Sequence, residues 1–88
     1  MWTLEDVLDV LNDNWQRATY GAVPGVVGGI ARGVMGGRVK CHRDSWVVRK
    51  SGGLPGGYVP SEMHPELFSE QYVIDTPEEL RSWLGEAN

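Results

Sequence analysis

Leu4, Val7, Leu8, Leu11 and Trp15 recur at spacings of three and four near the start of the chain, which places one apolar stripe along a helix. Thr3 stands where a hydroxyl caps free amides, with Asp6 three residues on, and Glu5 and Asp6 suit the positive end of the helix dipole. Asn12, Asp13 and Asn14 are poor interior residues, so the helix is expected to fray near Trp15. At the other end Thr76, Pro77 and Glu79 supply a capping hydroxyl, a first-turn proline and a capping-box acid. Leu80, Trp83 and Leu84 give the buried side and Gly85 the stop, which predicts a short helix over residues 77–84. Between these ends, Pro65 starts a helical turn through Phe68, and residues 72–74 read as a short strand.

The middle alternates short apolar pieces with glycines. Residues 19–27 and 30–35, separated by Gly28-Gly29, each have the length of one helix of a helix-turn-helix. Pro24 lies inside the first piece, so that helix either begins at Pro24 or is kinked. Residues 45–49 (Ser-Trp-Val-Val-Arg) are β-branched and aromatic, hence a strand. They run through the glycine-rich residues 50–57 to Tyr58-Val59, a hairpin or wing. The expectation is a small α+β domain: a winged-helix-like arrangement of a helix-turn-helix and a Gly-rich β-hairpin wing, with a short C-terminal helix.

Charge changes the picture. The chain has 88 residues and a net charge of −4, but residues 1–14 carry −4, residues 15–60 carry +6 and residues 61–88 carry −6. Asp44 is the only acid of the basic middle, which also holds eleven of the twelve glycines. A net anion is repelled by phosphate at long range, and only this segregation reopens nucleic acid as a partner. The length fits a single domain with one small core, burying roughly 60% of its unfolded surface. No apolar run approaches the ~20 residues of a membrane span. One cysteine and no leader-like start make a reducing cytoplasm the simplest home.

Thr19-Tyr20-Gly21 with Val23, then Ala31-Arg32-Gly33-Val34, then Val47-Val48-Arg49 through Leu54 to Gly56-Gly57-Tyr58 resemble three separated motifs of one family. It is the DNA-binding domain of the O6-alkylguanine-DNA alkyltransferases and their non-catalytic alkyltransferase-like relatives, and the resemblance covers residues 19–58. It implies that Tyr20 helps rotate a target nucleotide and that Arg32 fills the space an extruded base leaves. The family's acceptor cysteine directly precedes the histidine, arginine and Val-Val, whereas Cys41-His42-Arg43 stands before Asp44-Ser45-Trp46. In hairpin register the acceptor position falls on Asp44, with Cys41 three residues early. Lys40, His42 and Arg43 would all lower a thiol pKa if they surround Cys41 in space.

Three classes of function remain open. The first is a non-enzymatic DNA binder, serving DNA repair as alkyltransferase-like proteins do. Arg32, Arg38, Lys40, Arg43, Arg49 and Lys50 would contact phosphates, Tyr20 and Arg32 a distorted step, and Ser45, Trp46 and Tyr58 would form a base pocket. Trp46 is otherwise a core residue, Tyr20 a core aromatic and Arg32 a solvated side chain. The second is an alkyl-acceptor enzyme using Cys41. The third is a protein-interaction module in which acidic ends and basic centre meet a partner or another copy. No cofactor is implied, and Cys41, His42 and His64 lack the spacing of zinc ligands.

Overall fold

The computed structural model describes residues 2–29 and 31–87, the side chains of Ala31 and Arg32 excepted. The first helix, α1 (Leu4–Asn14), starts where the sequence places it, with the Asp6 amide donating to the Thr3 hydroxyl at 3.1 Å. Val7, Leu8 and Leu11 are buried along its stripe. Trp15 closes it in the left-handed region, at φ 52°. That turn carries the indole off the helix face and leaves it 46% exposed, so the last member of the predicted stripe is not core.

A strand hidden from the hydrophobic pattern follows at once. Residues Arg17–Thr19 form β1, buried throughout, and the Thr19 hydroxyl accepts from the Ala22 amide at 3.1 Å to begin α2 (Ala22–Val27). Residue 19 therefore belongs to a strand, not to the first helix of a helix-turn-helix. Pro24 sits in the first turn of α2, where its missing N–H would have had no intrahelical acceptor, so the helix neither kinks nor waits for it. Gly28 and Gly29, at φ 87° and 107°, end α2 before the single turn of α3 (Ala31–Val34).

The predicted strand over residues 45–49 is shorter and differently paired. Arg43–Trp46 form a 3₁₀ turn, and only Val47–Val48 are extended, as β2. Strand β2 lies parallel to β1, with Ala18 opposite Val47 and Thr19 opposite Val48. On the other side β3 (Val73–Ile74) is also parallel to β1, with Arg17 opposite Val73 and Ala18 opposite Ile74, giving the order β2-β1-β3. The hairpin expected between residues 45–49 and Tyr58-Val59 is thus replaced by a parallel sheet. Gly52, Gly53 and Gly57, all at positive φ, curl the loop back on itself, and the Arg49 amide closes it on the Leu54 carbonyl at 2.9 Å. Tyr58 and Val59 lead into a second 3₁₀ turn (Pro60–Glu62).

The last helix, α4 (Pro77–Ala87), passes through Gly85 to end three residues beyond its predicted limit. Leu80 and Leu84 bury against α1 and α2, and Trp46, Val47, Leu67 and Ile74 complete the same core. The molecule is a small α+β domain in which the glycine-rich segments run around a minimal parallel sheet. Among the described residues no helix is long and apolar enough to cross a membrane.

Candidate functional site

The basic middle of the chain does not form one open face. Arg17 is 5% exposed, and its guanidinium donates to the carbonyls of Gly53 (2.9 Å), Glu70 (3.0 Å) and Gln71 (3.3 Å) while lying 4.8 Å from the centre of the Phe68 ring. Burial pulls its pKa down, as expected for a cation with backbone partners only. Arg38 reaches Asp44 through Nε (2.6 Å) and Glu5 through Nη1 (2.8 Å). Arg43 reaches Glu5 (2.5 Å), Asp9 (2.9 Å) and Asp44 (3.5 Å). Asp44, the lone acid of the segment, is 2% exposed beneath these two arginines. Helix α1 thus answers the basic centre from within the same molecule, and Lys50 pairs with Asp75 at 3.0 Å.

Lys40 and Arg49 pair with no carboxylate among the described residues. Lys40 lines a cavity of about 410 Å³ together with Tyr20, Met35, Gly36, Gly37, Arg38 and Gly56, whereas Arg49 is not among the lining residues. The Gly56 amide donates to the Tyr20 hydroxyl at 2.8 Å, which ties the start of α2 to the glycine-rich loop. A Cβ on Gly56 would stand 3.2 Å from Arg49 Nε, so the guanidinium lies against that wall. Across the opening Lys40 Nζ lies 5.9 Å from the centre of the Tyr58 ring. Burial, and then Asp44, push the Tyr58 phenol up to about 12, so it stays protonated at neutral pH. The result is a cationic recess walled partly by backbone, with no carboxylate among its lining residues.

The base pocket expected from Ser45, Trp46 and Tyr58 is not assembled. The 3₁₀ turn, in place of a strand, carries Ser45 and Trp46 inward to zero exposure. The Ser45 hydroxyl donates to the His42 carbonyl (2.6 Å) and accepts from the His64 amide (3.0 Å), and Trp46 Nε1 donates to Asn12 Oδ1 (2.8 Å). Trp46 is the core aromatic, and Tyr58 alone of the three stands near the recess. Of the expected phosphate contacts, Lys40 lines the recess and Arg49 lies beside its Gly56 wall; Arg38 also lines it but, like Arg43 and Lys50, is engaged by acids, and the Arg32 side chain lies outside the described residues.

Cys41 is an exposed free thiol. Its sequence neighbours point elsewhere: Lys40 toward Tyr58, His42 Nε2 to the Ser61 carbonyl at 3.1 Å, and Arg43 to the acids of α1. Among the described residues no three His, Cys, Asp or Glu side chains converge as metal ligands. Met35, Gly36 and Gly37 were missed as lining residues. Their signal was the glycine pair directly after an apolar run. Asp44 stands out in the sequence as the lone acid of a basic stretch, and the structure places it as the buried counter-ion of Arg38 and Arg43. The chain matches no known family model, and no curated protein or solved structure is significantly similar to it.

Proposed function

We propose that this chain is a non-enzymatic DNA-binding protein of the alkyltransferase-like kind, which receives a distorted or extruded nucleotide at the recess beside Tyr20. One observation carries the reading: the cavity is lined by Tyr20, Arg38 and Lys40, has Arg49 beside its Gly56 wall and has no acid in its lining. Its 410 Å³ lies at the small end of the roughly 300–1,000 Å³ typical of ligand sites. Glycine walls admit a close backbone approach, and a tyrosine face offers sequence-tolerant stacking worth about 1–3 kcal/mol per base. Lys40 in the lining and Arg49 beside Gly56 would position phosphates without reading sequence.

The internal pairing of Arg38, Arg43 and Lys50 reduces the expected footprint. With Lys40 and Arg49 as the contacts, the logarithm of the binding constant should fall with the logarithm of salt at a slope near −1.8. The test is an NMR titration with a short duplex, with and without an O6-alkylguanine. Shifts centred on Tyr20, residues 35–40, Arg49 and Gly56, stronger with the lesion, support the reading. Absence of binding at low salt, or shifts confined to other surfaces, overturns it. Mass spectrometry after incubation with the lesion duplex should show an unaltered protein, and a gain of one alkyl group would move the function to Cys41.

A further inference from the structure

Glu5 is held by two different arginines, one on each carboxylate oxygen: Arg43 Nη2 at 2.5 Å from Oε1 and Arg38 Nη1 at 2.8 Å from Oε2. Asp44 is 2% exposed and cannot leave without stranding a buried charge, whereas Glu5 and Asp9 are 55% and 59% exposed; of these two, only Glu5, in the first turn of α1, bridges both arginines. Helix α1 is anchored by Val7, Leu8 and Leu11, so the Glu5 side chain can swing into water without moving the helix. An exposed ion pair of this kind is weak and readily exchanged. Two guanidinium groups converging on a pair of oxygens are also the arrangement that recognises phosphoryl groups.

We propose that the Arg38–Arg43 pair is an oxyanion site and that Glu5 is its resident surrogate, displaced when a phosphoryl group binds. Buried Asp44 keeps the two arginines oriented during the exchange, through Arg38 Nε and Arg43 Nε. Arg38 also lines the recess, so a phosphate on this site would lie next to whatever the recess holds. Glu5 then sets a threshold: weak anions meet an occupied site, and only a ligand anchored nearby displaces the carboxylate. The pKa of Glu5 is lowered by the Arg43 and then the Arg38 hydrogen bond, consistent with an ionised side chain in that position at neutral pH. The site itself stands on the ion-pair geometry, and only the source of its phosphate rests on the nucleic-acid reading.

The experiment compares wild type with Glu5→Gln and Asp6→Asn. Both changes remove one negative charge from the same exposed turn, but only the first touches the arginines. Inorganic phosphate is titrated at constant ionic strength while the Nε–H resonances of Arg38 and Arg43 are followed. Saturable shifts severalfold tighter in Glu5→Gln than in wild type or Asp6→Asn establish the site. Equal responses in the two variants, or no saturation in Glu5→Gln, overturn it. A second arm uses a short duplex. Tighter binding by Glu5→Gln, with a salt slope steeper by about 0.9 per arginine released, identifies backbone phosphate as the ligand. Tighter phosphate binding with no duplex binding by any of the three proteins keeps the site, assigns it to free phosphate and sinks the nucleic-acid reading instead.

Discussion

The Tyr20 hydroxyl accepts the Gly56 amide hydrogen at 2.8 Å, joining the turn between β1 and α2 to the loop that follows β2. Tyr20→Phe removes the acceptor and leaves the ring. The expected cost is about 1 kcal/mol in a denaturant titration, from one partly buried amide left unpaired. Duplex binding should weaken by more than that loss explains, because the Gly56 wall of the recess is released. Unchanged affinity with lowered stability would confine Tyr20 to a structural role.

Gly25 lies on α2 with the Pro77 ring of α4 where a β-carbon would go, and Arg81 donates to its carbonyl at 2.7 Å. Alanine in a helix gains up to about 1 kcal/mol over glycine. Overpacking against a rigid proline ring costs about 1–3 kcal/mol. The clash should win, so Gly25→Ala is expected to lower the melting temperature by about 4–8 °C per kcal/mol lost in a domain of this size. An increase would show that α2 and α4 separate freely.

Asp44→Ala strands two guanidinium groups over an emptied buried site. Losing one partner of a buried ion pair costs about 3–5 kcal/mol, and the lower end applies because Arg38 and Arg43 are 26% and 32% exposed. Chemical denaturation should place the variant near the limit of folding for a domain this small. A loss below about 1 kcal/mol would mean that Glu5 and Asp9 suffice to hold both arginines.

Stability should fall at both ends of the pH range. Glu5 is depressed below its ordinary 4.5, so its contribution is present above that value and is lost as pH falls through the folded-state value. Tyr58 is raised from 10.0 to about 12, so the protonated phenol favours the fold below pH 10 and that contribution disappears between 10 and 12. Denaturation midpoints against pH should show the acid limb flattened in Glu5→Gln and the alkaline limb in Tyr58→Phe. Superimposable profiles for wild type and variants would refute both assignments.

Elements with their own start signal were legible in the sequence. Thr3 with Asp6, and Thr76 with Pro77 and Glu79, fixed where α1 and α4 begin because the caps are local chemistry. The sheet was not legible. Strand β1 has three residues, two of them polar, and it is buried by what pairs and packs around it, since the Arg17 Nη groups find their partners only in carbonyls of residues 53, 70 and 71. Ser45 and Trp46 look like strand residues in isolation, and the Asn12 and His64 partners that fix their turn lie far along the chain. The charge segregation was visible at once. That its two halves meet each other first required knowing that α1 packs beside the turn at residues 43–46.

The sheet order also bears on how the chain acquires its shape. Ala18 pairs with both Val47 and Ile74, so the central strand has no neighbour until a long loop has closed on either side. Such non-local pairing slows folding relative to helical bundles of the same length, because chain entropy is lost before the strands reward it. It also makes residues 19–58 inseparable from their surroundings. Cut out as a cassette, they would lose Arg17, Ala18 and Ile74 together, and the recess beside Tyr20 would lose the framework that shapes it. Grafted onto another framework, the stretch would lack Ala18 and the strand β3 that pairs with it, so the graft is not expected to fold.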